Sequence, residues 1–503
     1  MNGLDLHTPS GVMVAIMPEL VLTAAALIVL LVNAWRHQTA DDSRLAGFIS
    51  LGGILAALVT VIVLWQSGVT AVGTPHMVAL DSYRFAALTL ILIASAGAVL
   101  LSLEYLPREE LIAPEYYALL LMASTGMMFL AGAEDLIVLF LGLEVMSVPV
   151  YVLAGFNRKS VVSAEAGLKY FLVGAFASAF LLYGIALTYG ATGSTALTAI
   201  GASITQRGLS PLAGLGLMLL IIGLGFKVAS VPFHMWAPDV YDGAPTPVTA
   251  YMATGVKAAG FIALVRVLMI GFPAAVDAWQ PALGTLAAAS MIVGNLVALA
   301  QRSLKRMLAY SSIAHAGYLL SAVWPGSREG ASATLLYLAA YVLTTIATFG
   351  LLTALGRGGE REVTLESITG LARRRPWIAF GLTVCMFSLL GFPGTFGFIG
   401  KWAILSAITA EHHQFLAVVL VVTSLVSAGY YLPVVRAVYM KEPPAETSHA
   451  DVILPAPARW AIGIGVALVL GLGVAPQLVV GRSAASATSF VGSSLDRVAT
   501  QSR

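Results

Sequence analysis

The sequence is poor in charge and almost without cysteine. Of 503 residues, 10% are Asp, Glu, Lys or Arg, where an ordinary soluble domain carries about 25%. A soluble body of this size could not cover itself with so little polar surface. The 58% hydrophobic fraction equally excludes disordered and collagen-like chains. The single cysteine, Cys385, rules out a disulfide framework and any iron–sulfur or cysteine–zinc site built by this chain alone. A net charge of +2 excludes nucleic-acid binding driven by bulk charge. No glycine-rich turn follows a strand in the way that dinucleotide or flavin sites need. What is abundant is apolar residues in long runs, with a mean hydropathy of +0.89. The composition reads as one all-α polytopic membrane body.

A helix crossing the hydrocarbon core needs roughly 20 apolar residues. About fourteen candidate spans are expected, at 12–33, 46–66, 80–103, 116–133, 135–156, 166–190, 211–232, 247–270, 280–300, 306–324, 331–356, 377–409, 414–440 and 457–478. Asp5 and no Lys or Arg precede the first run, so it lacks the basic start of a cleaved signal peptide and is expected to stay. The basic residues test the count. Odd-numbered loops and their flanks hold sixteen: Arg36, Arg44, Arg108, Arg158, Lys159, Arg302, Lys305, Arg306, Arg357, Arg361, Arg373, Arg374, Arg375, Arg436, Lys441 and Arg459. Even-numbered loops hold Arg207 and Arg328, and the tail adds Arg482, Arg497 and Arg503. A missed span would reverse the parity of everything after it. Odd loops are therefore expected in the cytoplasm, with both termini on the periplasmic side of a bacterial inner membrane.

Six basic residues remain inside the expected spans: Arg84, Lys169, Lys227, Lys257, Arg266 and Lys401. Arg84 and Arg266 lie near span ends and are expected to snorkel toward headgroups. A lysine or aspartate at mid-membrane costs about 2.5–3.5 kcal/mol on insertion scales, so the deeper charges need pairing, a hydrated path or loss of charge. Each outcome suits proton handling. Glu144 stands near the middle of LIVLFLGLEVMSVPVYVLAGF, with Pro149 following. Lys169 follows Glu165 by four residues, the favourable order for a helical pair, so a plain interfacial pair is the competing reading. Lys227, in GLGFKVASVPFHMW, precedes Pro232 by five residues. Proline breaks a helix, and a break at membrane depth is tolerated where it is buried in protein or lines a hydrated cavity. His234 follows as a candidate relay. Lys257 sits among Ala253, Gly255, Ala258, Ala259 and Gly260, small residues that allow close helix approach. Lys401 follows a second interruption built from Gly391, Pro393, Gly394, Gly397 and Gly400. His315 lies ten residues into its span, near Tyr310, Ser311 and Ser312.

The two breaks occupy corresponding places. In spans 4–8 and 9–13 the interruption falls in the fourth member, helices 7 and 12, each with a lysine close by. The second member carries the titratable group, Glu144 or His315. Five is odd, so the two sets enter the membrane from opposite sides, the pattern of an inverted-repeat transporter. The expected organisation is a three-helix segment over 1–110, a first five-helix repeat over 111–271, a second, inverted one over 272–441, and a helix and tail over 442–503.

The run GLGFKVASVPFHMWAPDVYDGAPTPVTAYMATGVKAAGF, the Glu144 segment, SLKRMLAYSSIAHAGYLL and GFPGTFGFIGKW occur in this order. They resemble the proton-translocating antiporter-like subunits of respiratory complex I, over nearly the whole chain. Among these the chain is most similar to subunit N, on its fourteen spans without a long lateral helix, MPELVL in the first span, SAEAGLKYFL in the sixth and lysine at 401. The resemblance implies that Glu144 and Lys227 form the charge pair of a first half-channel. It implies that Lys257 passes protons along a central axis, that Lys401 is the terminal site toward the outer exit, and that His315 and Lys169 join the hydrated chain. It implies no cofactor here. FMN and iron–sulfur clusters would sit in partner subunits of NADH:quinone oxidoreductase, and the neighbours would be subunit M, the small subunits K and J, and lipid. Relatives with the same lysine and glutamate pattern occur in multi-subunit cation/proton antiporters and membrane-bound hydrogenases, which gives a second reading without quinone chemistry. A third is a scaffold of static ion pairs.

Overall fold

The computed structural model describes residues 3–35, 39–72, 76–111, 113–356, 363–411, 414–442 and 456–501; side chains are described for these except 72 and 493–501. Arg36, Arg357, Arg361 and Arg503 fall outside them, as does the side chain of Arg497. Inside lipid every backbone polar group needs a partner within its own segment, which leaves helices as the way for such runs to cross. The helices are α1 (Pro9–Ala15), α2 (Met17–Ala34), α3 (Ala40–Gln66), α4 (Ser82–Arg108), α5 (Glu115–Gly132), α6 (Leu136–Ala154), α7 (Val161–Thr192), α8 (Leu197–Arg207), α9 (Pro211–Lys227), α10 (Ala237–Gly243), α11 (Thr246–Tyr251), α12 (Lys257–Arg266), α13 (Val276–Ala298), α14 (Leu304–Val323), α15 (Arg328–Leu355), α16 (Leu371–Arg374), α17 (Pro376–Leu390), α18 (Phe396–Ala410), α19 (Gln414–Met440), α20 (Ala456–Val474) and α21 (Gln477–Gln501). Two short strands, β1 (Gly3–Asp5) and β2 (Thr70–Val72), pair in parallel. Polar residues stop the apolar runs and cap the helices: Asp81, Asp135, Ser160, Ser210, Ser303 and Ser327 each accept a backbone N–H of the first turn.

Among the described residues, ten helical segments are long and apolar enough to cross a membrane, and α9, α17 and α18 are shorter apolar helices. The chain is an all-α polytopic membrane protein. Both expected interruptions are present: α9 ends at Lys227 and α10 begins at Ala237, while α17 and α18 are separated by Gly391 and Gly394, whose φ values of 85° and 88° suit glycine. The segment 246–271 is continuous but carries two π-helical stretches, Met252–Val256 and Val267–Gly271, which bracket α12 from Lys257 to Arg266.

Two helix pairs pack backbone to backbone. A side chain on Gly126 of α5 would fall 2.3 Å from the Met146 nitrogen of α6, and one on Gly142 of α6 would fall 2.6 Å from Leu130 of α5. In α13 and α14 the same holds: Gly294 meets Ala314 at 2.5 Å and Gly317 meets Met291 at 2.6 Å. At the centre stands α15, whose apolar window is buried throughout.

Two expectations change. Arg84 and Arg266 do not snorkel; both are 0% exposed. Carboxylates from other elements hold them: Glu19 pairs with Arg84 at 2.6 Å and Asp81 with Arg266 at 2.7 Å. The tail is not merely a tail. Residues Gln477–Gln501 form α21, which packs across α4, α8 and α15.

Candidate functional site

Glu144 projects from α6 two residues after the Gly142 contact and is half-buried. Its carboxylate accepts a hydrogen bond from Ser178 of α7 at 2.5 Å. Lys227 is the last residue of α9 and is 2% exposed. Its ammonium donates to Ser147 at 2.8 Å, and Ser147 in turn donates to the Leu143 carbonyl at 2.5 Å. The faces of Tyr151 and Tyr170 lie 5.4 Å from the ammonium, within cation–π range. Glu144 and Lys227 are within electrostatic reach of each other but make no ion pair within 4.0 Å among the described residues; each charge rests on a serine instead. Between Ser178 and Lys227 lies a cavity of about 10 Å³, lined also by Leu143, Tyr151 and Phe226, about the room one water needs.

The backbone break prepares the lysine's place. Carbonyls at the end of a helix lack intrahelical partners and carry the negative end of the helix dipole. Ser230 and Trp236 take the Gly225 and Phe226 carbonyls at the end of α9, where the Lys227 side chain begins. At the other break, Lys401 of α18 donates to the freed Leu390 carbonyl of α17 at 2.9 Å and to Ser424 of α19 at 3.2 Å. Both lysines therefore stand at the carboxyl end of a half-helix, where a cation is favoured.

Lys257 lies between these two points. The Lys227 stem approaches α12 at Gly260, one turn beyond Lys257. The Lys257 ammonium donates to both the carbonyl and the hydroxyl of Ser312 in α14, and Tyr341 of α15 donates to that hydroxyl at 2.9 Å. The neighbouring Ser311 is hydrogen-bonded to Tyr431 of α19, which meets His315 Nε2 at 3.1 Å; His315 Nδ1 meets Tyr337 at 2.5 Å. His315 is within electrostatic reach of Lys257 and Lys401. The ring of Tyr318, edge-on to His315, lies 4.5 Å from the Lys401 ammonium. A second cavity of about 10 Å³ lies beside His315, bounded by Tyr337, Thr344, Ser388 and Gly397.

Glu144, Lys227, Lys257, His315 and Lys401 thus all lie inside the helix bundle, each on its own polar partners, and no hydrogen bond joins one of the five to the next among the described residues. Lys169 does not lie there. It bonds Glu165 at 2.6 Å and Asp239 at 3.0 Å, with 44% of its side chain exposed, in a cluster that includes Arg306 at the odd-loop end. His234 is half-buried in the first break, and its Nδ1 has no hydrogen-bond partner among the described residues. Tyr337, Tyr341 and Tyr431 were not among the candidates from sequence. The available signal was the polar spacing Tyr337, Tyr341, Thr344, Thr348 along one face of α15. At the odd-loop end a cavity of about 310 Å³ opens between Arg108, Asn157, Asp242, Ser303 and Lys305. The adjoining Tyr241 lies beside Ser312 and Tyr341.

Two broken helices with a lysine at each break define an antiporter-like membrane subunit, and residues 133–427 match the family described as NADH:quinone oxidoreductase/Mrp antiporter, TM. The chain is 44% identical to NADH-quinone oxidoreductase subunit N of Gemmatimonas aurantiaca, covering 96% of each. It is similar to a chain of respiratory complex I from Thermus thermophilus with bound aureothin, at 38% identity and a TM-score of 0.79, over 92% of this chain and 98% of that one. A chain of the Mrp complex from Dietzia shares the fold with a TM-score of 0.82 at 22% identity, over 96% of this chain and 99% of that one. The chain belongs to the NADH-quinone oxidoreductase subunit N family.

Proposed function

We propose that the chain is the proton-translocating subunit N of a bacterial NADH:quinone oxidoreductase, and that it moves protons without redox chemistry of its own. In this reading FMN and iron–sulfur clusters reside in partner subunits, with subunit M and the small subunits K and J as membrane neighbours. The observation that carries it is that Lys227, Lys257 and Lys401 are buried and make no ion pair among the described residues, each standing on serines, carbonyls or ring faces. Permanent ion pairs would be the cheapest way to bury these charges. Instead the lysines rest on neutral hydroxyls, carbonyls and ring faces, contacts that can hold either protonation state. A change at Glu144 alters the field on Lys227 without forming or breaking a covalent bond, so motion in partner subunits can drive proton transfer electrostatically. Protons enter at the odd-loop cavity beside Asp242, on the cytoplasmic side by the distribution of basic residues, and leave past Lys401 toward the periplasm.

In the assembled complex, Lys227→Ala is expected to reduce proton pumping and quinone reduction by roughly a hundredfold, the low end for removing a positioned proton carrier. Native electrophoresis should find assembly intact. Unchanged rates would favour static charges. Normal cation/proton exchange in a preparation without flavin and iron–sulfur subunits would favour the antiporter reading, which the shared fold with the Mrp chain keeps open.

A further inference from the structure

Asn295 stands near the odd-loop end of α13, in the apolar run MIVGNLVALA, and is 0% exposed. A buried amide is costly unless its polar atoms are paired. Here both donors and the oxygen are used. Nδ2 donates to the Met291 carbonyl at 2.7 Å and to the Tyr318 hydroxyl at 3.2 Å, and Oδ1 accepts from Tyr430 at 2.8 Å. A carbonyl can only accept, so the Met291 contact fixes which end of the amide is nitrogen. The amide in turn fixes two phenols. Tyr430 gives its proton to Oδ1. Tyr318 accepts from the amide, which leaves its own proton for the Thr423 and Ser424 hydroxyls of α19 beside it. Lys401 donates to the same Ser424 at 3.2 Å, and its ammonium lies 4.5 Å from the Tyr318 ring. The Tyr430 arm leads elsewhere: its ring lies 4.4 Å from that of Tyr431, whose hydroxyl meets His315.

We propose that Asn295 is a positioning residue for Lys401: by holding the Tyr318 hydroxyl it keeps the ring face on the ammonium and so supports the charged lysine. The proposal rests on Lys401 being a proton site and names a residue that tunes it. A ring face stabilises a cation most where water is excluded, and Lys401 is buried with no carboxylate on it among the described residues. A phenol released from the amide is free to turn away. The other buried titratable groups on elements packed against α18 are His315 of α14, Tyr337 and Tyr341 of α15, Cys385 of α17, and Tyr430 and Tyr431 of α19; α20 brings none among the described residues. Of these, Tyr430 alone is bonded to Asn295 among the described residues, so the influence of the amide on Lys401 passes through Tyr318.

The test is the number of protons pumped per electron by proteoliposomes of the assembled complex, followed across pH; the ratio divides out the pH dependence of the redox arm. Asn295→Leu, similar in length and apolar, is expected to move the alkaline fall of this ratio about one pH unit lower, the scale of one desolvated cation–ring contact. Tyr318→Phe keeps the ring but removes the hydroxyl that Asn295 holds. It is expected to give the same move, and the double variant no more than either. Tyr430→Phe leaves the Tyr318 bond intact and is expected to leave the alkaline fall in place. A profile unmoved by Asn295→Leu, a move that adds up in the double variant, or an equal move in Tyr430→Phe would overturn the proposal. If Asn295→Leu fails to assemble, Tyr318→Phe decides alone. Lys401→Ala in the same assay separates the proposal from its premise. Wild-type pumping there would defeat Lys401 as a proton site; lost pumping there beside an unmoved Asn295→Leu profile would defeat the positioning role alone.

Discussion

The two halves of the molecule share a frame and differ in what fills it. In each, a glycine-packed helix pair sets a titratable side chain at mid-depth, on α6 or α14, and a broken helix brings a lysine to its carboxyl end. In the first half the group is Glu144, half-buried and one serine away from a small void that Lys227 also lines. In the second it is His315, 3% exposed and enclosed by Tyr318, Tyr337, Tyr341 and Tyr431. The frame decides where the lysines stand, and the filling decides how each is influenced. An anion near the surface of the chain can be acted on by a neighbouring subunit. A histidine inside a tyrosine cage is set back from such contact, with Lys257 and Lys401 of this chain acting on it.

Breaking the frame should have the largest effect, and the same one in both halves. Gly142→Leu and Gly317→Leu each force side-chain atoms into a facing backbone, so both are expected to abolish assembly on native gels. Loss in only one half would mean that the frames are not equivalent. Changing the filling should separate the halves. Glu144→Gln keeps an acceptor for Ser178 and removes the charge, so pumping is expected to fall several-fold with assembly retained. Tyr431→Phe breaks the Ser311–His315 bridge and is expected to cost about threefold, the scale of one hydrogen bond at about 0.5–1.5 kcal/mol. The reverse order would place control in the second half.

The smallest effect is expected outside both halves. Lys169→Ala removes a partly exposed pair, of a kind that contributes little to stability, and should leave pumping near wild type. Its small stability effect should depend on pH. Burial pushes the Asp239 carboxyl up, but the Lys169 hydrogen bond and the charge and hydrogen bond of Arg306 outweigh it and hold the group below its ordinary value. A depressed acid contributes stability above its unfolded value and loses it as pH falls through the folded one. Thermal melting should therefore separate wild type from Lys169→Ala at neutral pH and merge them in acid.

Much of the site was legible in the sequence because charge stands out against an apolar run and proline and glycine mark breaks. Glu144, Lys227, Lys257 and Lys401 were visible for that reason. The tyrosine cage was not, because Tyr337 and Tyr341 pass as ordinary members of an apolar helix until its complete burial is known. Arg84 and Arg266 were misplaced because their partners, Glu19, Asp81 and Glu134, come from distant positions in the chain. Helix α21 was hidden by its Ser-, Ala- and Val-rich composition, which is neither strongly apolar nor regularly charged. Lys169 lay on the expected sixth span and shares a helix with Ser178, yet side-chain reach and Asp239 take it to the odd-loop end.

The most direct test concerns Lys257, which joins the halves through Ser312. The measurement is the number of protons taken up per electron by proteoliposomes containing the assembled Lys257→Ala complex. The account gives a lower ratio than wild type, together with slowed quinone reduction. An unchanged ratio at an unchanged rate would contradict it.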